Sequence, residues 1–129
     1  MNQKYVEECR ICGIDEAIKK ELCPFCIAQK ILKGKWKMLI YWHLQDNKVR
    51  FNELNRLIPT TPTTLSRQLK ELETDGIIER KVYNQIPPKV EYFLTPIGKE
   101  LKPAIETMKQ WGVRYIDLDK KKDLKKIEA

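Results

Sequence analysis

The stretch FNELNRLIPTTPTTLSRQLKELETDGIIERKVYNQIPPKVEYFL, residues 51–94, decides the fold of this chain. Apolar residues at helical spacing predict a first helix with one buried face, formed by Phe51, Leu54, Leu57 and Ile58. A short turn with a proline leads into a second helix, and two β-like runs (77–83 and 90–94) then flank a tip with two prolines. Two helices, a short turn and a hairpin in this order predict a winged helix-turn-helix.

The second helix of this stretch, predicted over Pro62–Thr74, has the clearest local signals in the sequence. Thr61 is a good N-cap, Pro62 suits the first helical position, and Gly76 suits the left-handed residue after a helix. On a helical wheel one narrow arc is apolar, and the opposite arc is polar with two cations. We therefore expect the helix to be fixed by three buried leucines, Leu65, Leu69 and Leu72.

Helices are also predicted on both sides of the 51–94 stretch. An apolar stripe predicts one helix before it, through Trp36, Leu39, Ile40, His43 and Leu44. Residues 49–51 are expected to add a short third strand beside the hairpin. After the hairpin, Thr95-Pro96 begins a helix that bends or restarts at Pro103. The predicted class is mainly α with a small antiparallel β-hairpin.

Composition and charge narrow the partners of the chain. Its 129 residues, 42% hydrophobic and 33% charged, are typical of one soluble globular domain. The formal net charge of +7 and the pI of about 9.2 favour a polyanionic partner. No apolar run approaches the roughly 20 residues that span a bilayer, and the polar start is unlike a signal peptide. We therefore expect a cytoplasmic protein with no membrane partner.

Four cysteines near the N-terminus form a second signal, in the pattern CxxC-x10-CxxC. Two CxxC pairs supply the four thiolates of a tetrahedral zinc site, although typical zinc ribbons have a longer gap of about 15–20 residues. A second interpretation is a thiol switch at Cys23, because the start of a helix favours a thiolate; it would act through a disulfide or an electrophile adduct. Inert thiols and an iron–sulfur cluster are further alternatives. The candidate metal ligands are Cys9, Cys12, Cys23 and Cys26.

Seven short motifs follow one another between residues 23 and 112. They are CP (23–24), GKW (34–36), RFNEL (50–54), LSRQLKELETDG (65–76), PPKVEY (87–92), LTPIGK (94–99) and WG (111–112). Together they resemble the HxlR family of MarR-like winged helix-turn-helix transcriptional regulators. The resemblance implies a homodimer that binds double-stranded operator DNA, with N- and C-terminal helices as the dimerisation helices. It also places Cys23 at the position of the family's redox-responsive cysteine.

The chain is accordingly divided into three parts. Residues 1–26 are a cysteine-rich extension, residues 27–112 are the winged helix-turn-helix domain with its C-terminal dimerisation helix, and residues 113–129 are a basic tail. The first 22 residues and the segment after Gly112 extend beyond the family pattern, so the resemblance implies no function for them.

A helix of this kind enters the major groove of DNA with its exposed arc against the bases. Arg67 has the planar fork that reads guanine, whereas Lys70 better suits a phosphate. The wing is expected to touch the DNA backbone or the minor groove, and Lys35 and Arg50 are further phosphate candidates. The alternative is that the polar arc is only solvated. The predicted DNA-binding residues are Thr61, Thr63, Thr64, Ser66, Arg67, Lys70, Asn84, Gln85, Lys89, Lys35 and Arg50.

The expected function is that of a homodimeric, sequence-specific DNA-binding regulator that responds to redox change, electrophiles or zinc. One alternative is a winged-helix protein-interaction module with a structural zinc site. Another is a thiol-disulfide oxidoreductase, but the chain lacks the βαβ pattern and any further catalytic constellation, so we expect no enzymatic activity. Trp36 and Trp111 are expected to pack in the core or the dimer interface, and a small-molecule effector between them is left open.

Overall fold

Helices surround a small antiparallel sheet in this computed structural model, which describes the backbone of residues 24–128 and the side chains of residues 24–122. The elements are α1 (Pro24–Ile31), α2 (Lys37–Leu44), β1 (Val49–Arg50), α3 (Phe51–Leu57), α4 (Pro62–Thr74), β2 (Ile78–Tyr83), β3 (Lys89–Leu94), α5 (Pro96–Glu100) and α6 (Lys102–Glu128). The predicted class, mainly helical with a winged helix-turn-helix, is confirmed. Within residues 24–128, none of the helices combines the length and the apolar character that a membrane span requires.

The sheet has the strand order β1-β3-β2, with β3 in the centre. The β2–β3 hairpin pairs Ile78 with Leu94 at its base and Tyr83 with Lys89 at its outer end. The strands stop there because consecutive prolines in the tip cannot donate to the ladder. β1 pairs with β3 as the predicted third strand, although Phe51 already begins α3.

The hydrophobic core lies between α2, α3, α4 and the inner face of the sheet. Leu65 and Leu69 of α4 are fully buried, and Leu72 is 1% exposed, as the wheel predicts. The prediction for the first helix of the pair was wrong at one position, because Leu57 is 49% exposed at the C-terminal end of α3. Leu39, predicted on the apolar stripe of α2, is likewise exposed, whereas Tyr41 of the same helix is buried. The members of the core are Ile40, Tyr41, Leu44, Val49, Leu54, Ile58, Leu65, Leu69, Leu72, Ile77, Ile78, Tyr92, Leu94 and Ile105.

Thr95 joins the end of α4 to the start of α5. Its hydroxyl donates to the carbonyl oxygen of Gly76 at 2.6 Å and accepts from the backbone N–H of Gly98 at 3.1 Å. The carbonyl of Gly98 accepts a hydrogen bond from the Tyr41 hydroxyl at 2.6 Å. A Cβ at Gly98 would overlap the carbonyl oxygen of Ile77, so this close approach requires glycine. The contacts fix the hairpin against α4 and α2.

The C-terminal helix restarts at the proline, as one of the two predicted possibilities. α5 ends at Glu100, and α6 begins at Lys102 with Pro103 in its first turn, where the missing N–H costs no hydrogen bond. α6 then continues to Glu128, so no break in the helix marks the predicted boundary at residue 112. Ile105 packs into the core, whereas the large apolar residues between Met108 and Leu118 are exposed.

Candidate nucleic-acid interface

The structure gives α4 one buried face and one exposed polar face. Thr61 caps the helix, because its hydroxyl oxygen accepts from the backbone N–H of Thr64 at 3.2 Å. The same hydroxyl donates to the Thr64 hydroxyl at 3.0 Å, so both predicted contacts already serve the cap. The other predicted residues of the helix lie together on one exposed surface: Thr63, Ser66, Arg67 and Lys70.

Two polar contacts that the sequence analysis missed hold α4 from behind. Gln68 is 4% exposed, and its side-chain oxygen accepts from the backbone N–H of Trp36 at 3.0 Å. Lys37 is 2% exposed, and its ammonium group lies 2.6 Å from the carboxylate of Glu71. These contacts tie the second and third turns of the helix to the start of α2. The sequence gives little indication of these contacts, because Gln68 and Glu71 are polar residue types that usually lie on the surface of a helix.

A cleft lies on the wing side of α4, with a volume of about 430 Å³. It brings together four of the predicted DNA contacts from separate elements. We call it the wing-side cleft, and its lining includes Arg50, Ser66, Arg80, Gln85 and Lys89. A smaller hollow beside it is lined by Ser66, Lys70, Glu73, Arg80 and Tyr92. Predicted residues that are distant in sequence therefore share one surface.

Arg80 is a cleft residue that sequence analysis did not single out. It lies on β2 opposite Tyr92 of β3, and burial raises the pKa of the Tyr92 hydroxyl, which stays neutral at physiological pH. The sequence could have identified Arg80, because the two-residue period of a strand places it on the same face as the buried Ile78. That face looks toward α4, which makes Arg80 a further cation beside the exposed arc.

The wing carries its polar groups at different depths. Lys89 is half-buried, lies 3.6 Å from the carboxylate of Glu91 and stacks over the ring of Tyr83 at 4.6 Å. A hydrogen bond from the Tyr83 hydroxyl, followed by the charge of Lys89, lowers the pKa of Glu91. Asn84 and Gln85 are exposed at the tip, beside a fully exposed Ile86. The wing is thus braced at the outer end of its two strands and open at its tip.

A second cleft lies on the opposite side of α4, against α1, with a volume of about 530 Å³. We call it the α1-side cleft. Five cations and two carboxylates line it together with Thr74: Lys30, Lys33, Lys37, Arg67, Lys70, Glu71 and Asp75. Lys30 and Lys33 were not predicted as contacts. The predicted phosphate contact Lys35 lines neither cleft and lies over the ring of Trp36 at 4.9 Å.

The predicted cysteine site lies mostly outside the described residues. Cys26 is half-buried in the first turn of α1. Cys9, Cys12 and Cys23 precede the part of the chain that the structure describes, so their proposed zinc or redox role stays a prediction. His43, the one histidine of the sequence, is half-buried near the end of α2.

The sequence of this chain matches a family profile and several transcriptional regulators. The profile of a family described as HxlR-like helix-turn-helix matches residues 31–120. The uncharacterised HTH-type transcriptional regulator YdeP of Bacillus subtilis (strain 168) is 49% identical over 110 residues, which cover 84% of this chain and 86% of YdeP.

Solved structures agree with the sequence matches. A structure described as the redox regulator HypR in its reduced form has a TM-score of 0.71 and 45% identity, and the match covers 74% of this chain and 96% of that chain. The reduced form of the transcriptional regulator YodB from Bacillus subtilis has a TM-score of 0.62 and 37% identity, covering 70% of this chain and 90% of that one.

Proposed function

The chain belongs to the HxlR-like helix-turn-helix family of transcriptional regulators, and from this premise we propose that it acts as a homodimer that reads specific operator DNA through α4. The observation that carries the proposal is the arrangement around α4. Its leucines are buried, the polar arc of Thr63, Ser66, Arg67 and Lys70 is exposed, and basic clefts lie on both sides of it. A helix that is fixed from behind and polar in front suits insertion into the major groove.

The residue roles follow from side-chain chemistry. Arg67 is exposed near the middle of the helix, and its fork matches the two acceptors of guanine in the major groove. Thr63 and Ser66 are proposed as shorter contacts, and Lys70 as a phosphate contact. On the wing side we propose that Arg50 and Arg80 neutralise the adjacent phosphates.

The homodimer is proposed from the surface of α6. Met108, Trp111, Tyr115 and Leu118 follow one another at intervals of three, four and three residues, and each is at least 39% exposed. This is the spacing of a coiled-coil seam, whose apolar residues need a partner helix. Phe25 of α1 is 66% exposed and is proposed to join the same interface. A dimer would present two copies of α4 about one duplex turn apart, roughly 34–36 Å.

The test of DNA reading uses two substitutions at one position. Arg67→Ala is expected to weaken binding to the DNA upstream of the protein's own gene by about 1–3 kcal/mol and to relax specificity at one base pair. Arg67→Lys keeps the charge but lacks the fork, so it should keep nonspecific binding and lose the base preference. Affinities are measured by fluorescence anisotropy on operator and scrambled duplexes.

Two outcomes would change the proposal. An equal loss on every sequence, with a shallower salt dependence, would make Arg67 a phosphate contact instead of a base reader. Folded wild-type protein that binds no duplex at all would overturn the DNA-binding proposal and favour the protein-interaction module.

Control by the cysteines is proposed in two forms. In the first, Cys9, Cys12, Cys23 and Cys26 hold a zinc ion, since four thiolates suit tetrahedral zinc. In the second, a thiol switch acts through Cys23, and the likeness to a protein described as the redox regulator HypR supports this form. Cys26, a ligand in the first form, lies in the first turn of α1.

One experiment separates the two forms. Zinc content is measured on freshly purified protein, and DNA affinity is then compared for as-isolated, zinc-stripped, reduced and oxidised samples. A structural zinc site predicts about one zinc per chain, and a thiol switch predicts a difference between reduced and oxidised protein. Equal affinity in all four samples would rule out a switch at the cysteines.

A further inference from the structure

We propose that the α1-side cleft seats the second phosphate strand of the duplex, so that Lys30 and Lys33 are DNA-backbone contacts. The proposal rests on the proposed function, since it assumes that α4 lies in a major groove. It extends the interface beyond the helix-turn-helix and wing to α1 and the residues that follow it. Because Cys26 lies on α1, the extension joins the cysteine-bearing end of the protein to the DNA backbone.

The geometry of a helix in the major groove requires two flanking seats. An α-helix with its side chains is about 10–12 Å across, and the major groove is about 12 Å wide. The helix is therefore bounded by a phosphate strand on each side. On α4, Ser66 lines the wing-side cleft, and the next residue, Arg67, lines the α1-side cleft. The two clefts thus flank the proposed reading face.

The charges of the α1-side cleft favour a polyanion. Lys37 is buried and paired with Glu71 at 2.6 Å, so these two charges offset each other. In all, five cations and two carboxylates line the cleft, so positive charge predominates there. Cations gathered in one cleft repel each other, and an anion that lies among them relieves this repulsion. Lys30, Lys33 and Lys70 are all exposed, as a contact with a phosphate requires.

The shape of the cleft distinguishes a strand from a small anion. Every residue that lines it is exposed except Lys37, whose charge is taken by Glu71. Small-molecule sites bury most of their ligand and place a few polar groups around it. Several exposed cations in an open cleft instead suit an extended phosphate backbone, which stays in contact with solvent. We therefore assign the cleft to DNA phosphates.

The test is the salt dependence of DNA binding by the full chain carrying Lys30→Gln and Lys33→Gln. Each lysine that contacts a phosphate is expected to contribute about 0.9 to the slope of log affinity against log salt. The double variant should therefore show a shallower slope, by up to about 1.8 per bound chain, with the same fold loss on operator and scrambled duplexes. Phosphate-ethylation interference should lose contacts on one flank of the groove only.

Two control variants make the result specific. Lys30→Arg/Lys33→Arg keeps the charge and should keep the wild-type slope. Lys99→Gln/Lys122→Gln removes the same charge from exposed lysines of α5 and α6 that line neither cleft. It should leave the slope near the wild-type value. All three variants change exposed side chains, and circular dichroism verifies that each is folded.

The outcomes separate this inference from the proposed function. An unchanged slope in Lys30→Gln/Lys33→Gln, while Arg67→Ala still loses the operator, would overturn the inference and leave the proposed function intact. An equal loss in the Lys99→Gln/Lys122→Gln control would also overturn it, because the effect would then come from net charge. Absence of DNA binding by the wild type would overturn both.

Discussion

The helices α4 and α6 are both amphipathic, but they complete their contacts in different ways. The leucines of α4 are buried within the chain, and only its polar side is open. On α6, Ile105 is buried near the start, whereas Trp111, Tyr115 and Leu118 are 58–60% exposed. A group of neighbouring exposed apolar residues on a protein surface commonly marks an interaction site. The difference indicates that α4 is held by its own chain and that α6 is suited to a second copy.

The sharpest test of this difference is a matched pair of leucine substitutions. Leu69→Ala, in the fully buried face of α4, is expected to lower the free energy of unfolding by about 2–5 kcal/mol, because it leaves a cavity. Leu118→Ala, at a side chain that is 59% exposed, should act only through association. Chemical denaturation at several protein concentrations measures both. A concentration-dependent loss for Leu69→Ala, or a large concentration-independent loss for Leu118→Ala, would break the comparison.

The second prediction concerns the dimer itself. The rings of Trp111 and Tyr115 stack with centroids 5.3 Å apart, and both side chains are exposed on α6. Trp111→Ala is expected to weaken dimerisation by about 2 kcal/mol or more, as truncation of a central aromatic residue does. Sedimentation equilibrium measures the change. Val82→Ala, at another exposed apolar residue on the wing, is the control and should leave dimerisation unchanged. A wild type that stays monomeric at all concentrations would remove the basis of the prediction.

The same two helices show how far the sequence predicts the structure. The bounds of α4 follow from signals within the helix and its flanks: a capping threonine, a proline in the first turn and a glycine after the end. The exposure of Trp111 does not follow from such signals. Helical periodicity identifies an apolar stripe, but core packing and partner contact give the same stripe. Only the positions of the other elements reveal that nothing in residues 24–122 covers it.

The candidate site likewise contains some residues that the sequence predicts and others that it does not. Arg67 and Lys70 were predictable because they lie opposite three leucines on one wheel. Gln68 was not, because its burial depends on the N–H of Trp36, which is 32 residues away in the chain. The α1-side cleft was missed for the same reason, since Lys33 meets α4 only through tertiary packing.

The third prediction tests whether α4 is positioned within one chain. Gln68→Ala leaves the backbone N–H of Trp36 without its partner and is expected to cost about 1 kcal/mol of unfolding free energy at any protein concentration. DNA affinity should fall as well, because the turn of α4 beside Arg67 loses an anchor. Gln110→Ala, at an exposed glutamine of α6, is the matched control and should change neither quantity. If only the control changed the unfolding free energy, the interpretation that contacts within one chain hold α4 in place would fail.

The smallest expected effect concerns the wing, which is also braced within the chain. The Tyr83 hydroxyl and Lys89 lower the pKa of Glu91 below its usual value of 4.5. Because the folded pKa is depressed, the carboxylate stabilises the fold above about pH 4.5, and this contribution is lost as the pH falls through the folded value. Tyr83→Phe removes the hydrogen bond, so the pKa of Glu91 should rise toward the usual value and the loss of stability in acid should become smaller. NMR titration of the Glu91 carboxyl carbon measures the shift. Tyr115→Phe, on the exposed face of α6, should leave the titration of Glu91 unchanged, and an equal shift in both variants would mean that the wing is not braced by this contact.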